Sequence, residues 1–301
     1  MIYTLTFSPS IDYYLTVNRF KENSINRSTM EEFAIGGKGI NVTKVLKELS
    51  VNSIAIGFIS GFTGEYLKEC LKKENIESYL INASGSTRIN VKILSEHETA
   101  INSNSLIIDT SALNILYKKI SEIKEEDYLI ISGSVPPHID LEDIVKKIQK
   151  QVKLIIDVDY NIIPLLKYHP FLIKPNRDEL YKLFNKEAND LNEIILFAKE
   201  LKKQGAQNVI VSLDKDGAIM IDEQNNEYYR KNKKLNVVST VGAGDSMVAG
   251  FIFGSIHNYS MEKSFELGMH CAAAACLTKA LPNKILIDKI KELKQWIYGM
   301  I

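Results

Sequence analysis

Short apolar runs that alternate with helical segments constrain this chain most. The runs "IYTLTF" (2–7), "SIAIGFI" (53–59), "DYLIISG" (127–133), "VKLIIDV" (152–158), "FLIKPN" (171–176) and "NVIVSL" (208–213) have the length and apolar content of buried strands. Among them lie "GINVTKVLKEL" (39–49), "GEYLKECLKKE" (64–74), "LEDIVKKIQKQ" and "EIILFAKELKKQG", with apolar residues at helical spacing. A strand that is apolar throughout has no face to offer to water, so both faces of its sheet must be covered. Alternation of strand and helix meets that demand with a mostly parallel sheet between two helical layers. The expected fold class is α/β, a three-layer α/β/α sandwich.

Two stretches break the rhythm. "IDYYLTVNRF" followed by "NRSTMEEFAI" reads as two strands around a polar turn, and "TRINVKIL" with "HETAIN" as another pair. In the latter Arg88, Asn90 and Lys92 fall on one face and Ile89, Val91 and Ile93 on the other. Strands inserted at about 11–35 and 86–103 predict a small β-sheet lid on a single domain spanning 1–301, since no linker rich in Pro, Gly or Ser divides the chain. Such a lid leaves an apolar face and two edges open. A homodimer joined through the two lids is therefore expected.

The composition is ordinary for a globular protein: 45% hydrophobic and 25% charged, with formal net charge +0. No basic excess calls for nucleic acid. No apolar run nears the roughly 20 residues of a membrane span. "MIYTLTFSPS" lacks a basic region followed by a long apolar core, so no secretory signal is expected and the cytoplasm is the expected location. The three cysteines, Cys70, Cys271 and Cys276, lack metal-ligand spacing, and "CAAAAC" reads as buried thiols.

The chemistry gathers around two glycine loops. "TVGAGDSMVAGF" (240–251) sets Thr240, Gly242, Ala243, Gly244 and Asp245 at the mouth of an apolar helix. The first N–H groups of a helix lack internal partners and the dipole is positive there, so the loop suits an anion such as phosphate. A carboxylate beside phosphate makes sense as the acceptor of a proton from whatever attacks it; the bland alternative is a helix-capping aspartate. "GGKGINVTK" (36–44) opens a second helix with Gly36, Gly37, Lys38 and Asn41. It is neither a P-loop nor G-x-G-x-x-G, so it suits close backbone contact with a polar ligand, or simply a tight turn. "PSID" puts Asp12 at the end of the first strand, where open α/β sheets bind ligands and an acid can accept from sugar hydroxyls. Arg27, Arg88, Asn90 and Lys92 can grip an anion, or form a solvated sheet face. "KPNRDEL" (174–180) places Asn176 and Glu179 three apart, suited to hydrated magnesium or to an acidic helix start. In "VSLDKDGA" (211–218), Ser212 can touch a phosphate or ribose and Gly217 supplies a turn; a plain hairpin is the alternative.

Taken together, "GGKGINVTKVL", "SGSVPP", "IKPNRDEL", "VSL..DGA" and "TVGAGDSMVAGF" resemble, in order and over nearly the whole chain, the PfkB group of ribokinase-like sugar kinases. "PSIDY", "AIGGKGINV", "TRINVKI" and "YHPFLIKPN" resemble its 1-phosphofructokinase branch, with tagatose-6-phosphate kinases as neighbours. The resemblance implies ATP-dependent phosphorylation of D-fructose 1-phosphate with Mg2+. It implies Asp245 as the base and Gly242, Ala243 and Gly244 as the anion hole. Asp12, Gly36, Gly37, Lys38, Asn41 and Asn90 would bind the sugar, and Arg88 with Arg27 its phosphate, Arg27 reaching across from a partner's lid. Asn176 and Glu179 would serve magnesium. Lys174, Thr240 and Ser212 through Gly217, with Asp214 among them, would line the nucleotide site. Three departures stand out: Ser8 in place of Asn, Asp214 in place of Gly, and "TAINSNS" in place of "TEIN" followed by Gly-Pro. A tagatose-6-phosphate kinase is the nearest alternative. A non-catalytic sugar-phosphate sensor would have no need of Asp245, and a dehydrogenase would carry G-x-G-x-x-G after the first strand.

Overall fold

The computed structural model describes residues 1–104, 106–149, 151–232 and 235–292. The chain runs β1 (Ile2–Thr6), β2 (Ser10–Thr16), β3 (Met30–Gly36), α1 (Lys38–Glu48), β4 (Ile54–Ile59), α2 (Gly61–Lys73), β5 (Glu77–Asn82), β6 (Arg88–Leu94) and β7 (Glu98–Ile101). It continues with α3 (Thr110–Ser121), β8 (Tyr128–Ser134), α4 (Leu141–Val145), β9 (Lys153–Asp159), β10 (Leu172–Ile173), α5 (Arg177–Phe184) and α6 (Leu191–Lys203). β11 (Asn208–Ser212), β12 (Ala218–Ile221), β13 (Glu227–Arg230), α7 (Ala243–Ile256), α8 (Met261–Ala275) and α9 (Lys284–Glu292) complete it. Residues 293–301, assigned above to the same domain, lie outside the described residues.

The main sheet has nine strands in the order β13-β12-β11-β10-β9-β8-β1-β4-β5. From β11 to β5 every pairing is parallel, and only the β11-β12-β13 edge is antiparallel. Alternate side chains of each strand enter opposite cores. Leu5, Leu129, Ile131, Ile156 and Val209 meet α3, α4 and α6 on one side. Ile2, Ile130, Ile155, Leu172 and Ile210 meet α1, α7 and α8 on the other. This is the expected three-layer sandwich.

Two elements are shorter than their apolar patterns. "FLIKPN" pairs only over Leu172–Ile173, because Pro175 has no N–H for the ladder. "LEDIVKKIQKQ" is helical only over Leu141–Val145. Beyond it Lys147 and Ile148 donate to carbonyls three residues back, the tight turn that ends many helices.

The lid is a second sheet in the order β3-β2-β6-β7. Register places Ala34, Asp12 and Asn90 in one row, and Phe33, Tyr13, Val91 and Ile101 in the next. Successive rows point to opposite faces, so one face is polar and the other apolar. On the apolar face Tyr13 stacks on Phe33 at 4.2 Å, yet Phe33 stays 52% exposed and Ile101 57%. Ile93 differs from the expected exposed stripe: it is buried within this single chain, while Ile89 and Val91 are half-buried.

Candidate active site

Both glycine loops end at the C-terminal edge of the sheet, and each feeds a helix of the same layer. α7 is apolar all round because it is buried all round: Asp245 through Ile252 and Gly254 are buried between α1 and α8. Its N-cap is Gly242, in the left-handed region at φ 76°, with no side-chain cap. A Cβ there would lie 2.6 Å from Leu281 Cδ2, so glycine is required twice over. The capping reading of Asp245 fails, since Asp245 is the third residue of the helix. The helix mouth keeps its backbone donors with one qualification: Ala243 N–H donates to the Thr240 carbonyl at 3.3 Å.

Asp245 is only 5% exposed, and Asn41 Nδ2 donates to its Oδ2 at 2.7 Å. Burial first, and then the negative charge of Asp157, push its carboxyl up from 3.8 to about 6; Asn41, Lys38 and Lys174 pull the other way. Such a carboxylate changes protonation close to neutral pH, as a general base should. Asn41, expected to face a sugar, also joins the first turn of α1 to Asp245 on α7.

Lys38 and Lys174 converge from separate elements on one oxygen, Asp157 Oδ1, at 3.5 and 3.3 Å. Lys174 is 5% exposed, and its Nζ lies 3.2 Å from where a Cβ of Gly244 would stand. The Lys38 ammonium is opposed by burial, but Asp157, Glu179 and Asp245 outweigh that and hold its pKa above its ordinary value. Asp157 was not foreseen. Its signal was the rule applied to Asp12: an acid at the C-terminal end of a strand, here in "LIIDVD".

On the lid, Asp12 Oδ1 accepts from Ser10 Oγ at 3.0 Å and from Asn90 Nδ2 at 2.9 Å. Asp12 Oδ2 packs on Gly36, where a Cβ would stand 2.5 Å away. Arg88 pairs in register with Ser10 and is half-buried, and its Nε makes no hydrogen bond among the described residues. Burial lowers its pKa, partly offset by Asp12. Gly36, Gly37, Lys38, Asn41, Asp12, Arg88 and Asn90 therefore meet at the root of the lid and the start of α1. Arg27 does not join them. It is exposed in the turn between β2 and β3, beyond the Thr16–Met30 pair. At about 3.3 Å per residue that turn lies more than 10 Å from Asp12.

The expected metal pair is a capping box. Asn176 accepts from Glu179 N, and Glu179 Oε2 accepts from Asn176 N, both at 2.8 Å. Asn176 Oδ1 thus caps its own helix. Glu179, whose Oε2 takes the Asn176 N–H, lines a cavity of about 330 Å³ with Lys174, Asp159, Asn161 and Lys182. Among the described residues no three His, Cys, Asp or Glu side chains group as a metal site. Ser212 bridges to Asn176, and Arg177 reaches Asp216 at 2.6 Å, so the turn after β11 is tied to α5. Asp214, standing where the family pattern has glycine, has φ 51°, and Gly217 φ 104°. Gly217 lies under the Arg230 backbone, so its need for glycine is the hairpin's.

This arrangement can be compared with known proteins. A 1-phosphofructokinase of Borreliella burgdorferi is 40% identical over 92% of both chains. A D-tagatose-1-phosphate kinase of Bacillus licheniformis is 34% identical, again over 92% of each. The crystal structure of phosphofructokinase-2 from Escherichia coli, in complex with substrates and products, superposes with a TM-score of 0.90 at 31% identity, covering 96% of this chain and 97% of that one. That protein has also been solved in a tetrameric inhibited form. Residues 5–285 match the pfkB carbohydrate kinases, a span that holds all but the first residues of the main sheet, the lid and both glycine-led helices. With that match and relatives this similar over nearly their whole length, the chain belongs to the pfkB family of carbohydrate kinases.

Proposed function

We propose that this protein transfers the γ-phosphoryl group of ATP to the 6-hydroxyl of D-fructose 1-phosphate, giving D-fructose 1,6-bisphosphate and ADP. The observation that carries the chemistry is Asp245, buried at the mouth of α7 and tuned to about 6 beside two lysines. As the new O–P bond forms, Asp245 takes the hydroxyl proton and the bond from the γ-phosphorus to the bridging oxygen breaks. The backbone donors around Gly242 and Gly244, with Lys174, face the transferring group and stabilise its charge. Positioning does the rest, and the lid keeps water from taking the phosphoryl group.

Magnesium fits in one form. It keeps most of its waters and takes one or two carboxylates plus phosphates. Glu179, a carboxylate beside the cavity, suits that role, while Asn176 supports it as the cap. Held there, Mg2+ would supply charge neutralisation to the phosphates. Ser212 and Asp214 stand at the nucleotide end of the cleft.

For the acceptor, Asp12, Asn90 and Lys38 receive hydroxyls and Arg88 the phosphate. Arg88→Ala is expected to raise KM for fructose 1-phosphate by roughly 10–100-fold, the loss of a charge-assisted pair, with KM for ATP little changed. Specificity constants for fructose 1-phosphate, tagatose 1-phosphate, tagatose 6-phosphate and fructose 6-phosphate test the substrate. A much higher value for a tagatose phosphate refutes the fructose assignment and keeps the kinase.

The same reading makes the protein a homodimer through the lids, burying Phe33, Val91 and Ile101 and bringing Arg27 toward the partner's sugar phosphate. Sedimentation at micromolar concentration should give a dimer, and Arg27→Ala should weaken sugar binding. A fully active monomer contradicts it.

A further inference from the structure

Among the described residues, Asp157 is a buried acid of the cleft to which the phosphoryl transfer itself gives no work. It is 2% exposed, at the end of β9, in register with Ser132 of β8. Its neighbour Ile155, two residues back, packs in the core of α1 and α7, so the pleat aims Asp157 at the layer that carries both glycine loops. Oδ1 takes the ammonium groups of Lys38 and Lys174, while Oδ2 takes no hydrogen bond among the described residues. The two lysines come from opposite ends of the reaction: Lys38 opens α1 beside the lid, and Lys174 reaches Gly244 of α7.

We infer that Asp157 is a positioning residue that seats both lysines from one oxygen, locking the acceptor and donor halves of the cleft into a single geometry. The inference rests on the kinase reading above. Two ammonium groups near one point repel each other, and each rides on a flexible four-carbon stem. One carboxylate between them removes both problems. Burial alone would push the Asp157 carboxyl up, but Lys174 and Lys38 outweigh it and hold it below its ordinary range. It is therefore anionic at neutral pH, and that charge acts on Asp245.

The second effect gives a signature that mere structural support lacks. The charges that face Asp245 are Asp157 from β9, Lys38 from α1 and Lys174 from the segment after β10, with Asn41 as its donor. Glu179 of α5 acts on Lys38. Removing the Asp157 charge lifts an opposition to ionised Asp245, so the acid limb of activity moves to lower pH.

The test is kcat, KM and the pH profile of Asp157→Asn and Asp157→Glu, beside the wild type, with Mg-ATP and fructose 1-phosphate. Asp157→Asn is expected to lower kcat roughly 10²-fold, the scale of a small misplacement of reacting groups, with both KM values moving less. Its acid limb shifts to lower pH. Asp157→Glu keeps the charge and displaces it, so kcat falls and the acid limb stays near the wild type's. An Asp157→Asn enzyme with kcat within about twofold of wild type and an unmoved acid limb overturns the inference, even if it melts earlier. If Asp157→Asn does not fold, Asp157→Glu decides: wild-type kcat overturns the inference and a fall supports it. A wild type that phosphorylates none of the phosphosugars refutes the kinase reading itself, and the inference falls with it.

Discussion

Asp245→Asn is expected to lower turnover by roughly 10²–10⁴-fold while raising stability at neutral pH. The side chain keeps its size, and its amide oxygen can still accept from Asn41, so the local geometry survives. What is lost is the ability to take a proton. KM for ATP should fall or hold, because a negative charge beside the phosphates has gone. The stability gain follows from the same burial. In the folded protein the carboxyl titrates near 6, against 3.8 for the free group. Between these values the native state holds a proton that the unfolded chain has released. Unfolding then releases protons, so stability falls as pH rises from about 4 through about 6, and stays lowered above. The full shift corresponds to about 3 kcal/mol. The buried amide of Asn carries a desolvation cost of its own, on the order of 1–3 kcal/mol, so the net gain is smaller and shows as a few degrees in Tm. Wild-type kcat should show an acid limb near pH 6 that Asp245→Asn lacks. Near-normal turnover in folded Asp245→Asn contradicts the assignment of the base.

The second large effect is expected for Gly242→Ala. An L residue held at φ 76° costs about 1–2 kcal/mol, and its Cβ would meet Leu281 Cδ2 at 2.6 Å. Leucine can rotate away, so the fold should survive with a modest loss of Tm. The turn that aims the first N–H groups of α7 cannot shift so cheaply. Losing one aimed donor to a developing oxyanion costs roughly 10²–10³-fold in kcat, and that is the expected fall. Sugar KM should change little, since Asp12 and Arg88 lie on the lid. A kcat within threefold of wild type, measured on protein with a native melting transition, would show that the helix mouth does not hold the transferring group.

The parts of this molecule that could be read from its sequence are those where local chemistry leaves few options. Two glycines and an acid at the start of an apolar helix imply a helix mouth open to an anion, and alternating Arg88, Ile89, Asn90, Val91 implies a two-faced strand. Asn176 and Glu179 show where spacing loses its meaning. An amide and an acid three residues apart form a capping box as readily as a metal pair, and the structure shows the box. Asp157 was hidden for another reason: its partners Lys38 and Lys174 come from other elements, Lys38 being 119 residues away, so only the parallel sheet brings the three together. Asn41 likewise finds Asp245 across 204 residues. Asp214 replaces a family glycine at φ 51°, a region Asp tolerates better than most residues, so the departure changes charge more than backbone. Arg27 lies at the far end of the lid hairpin, away from the cluster around Asp12, a separation that only the strand register reveals.

The product of the reaction is the most direct test of a fructose 1-phosphate kinase. Wild-type protein incubated with Mg-ATP and D-fructose 1-phosphate should form one new phosphomonoester, at the 6-position, for each ADP released, as read by phosphorus NMR of the reaction mixture. ADP formed without a phosphorylated sugar, or no ADP at all from folded protein, would contradict that activity.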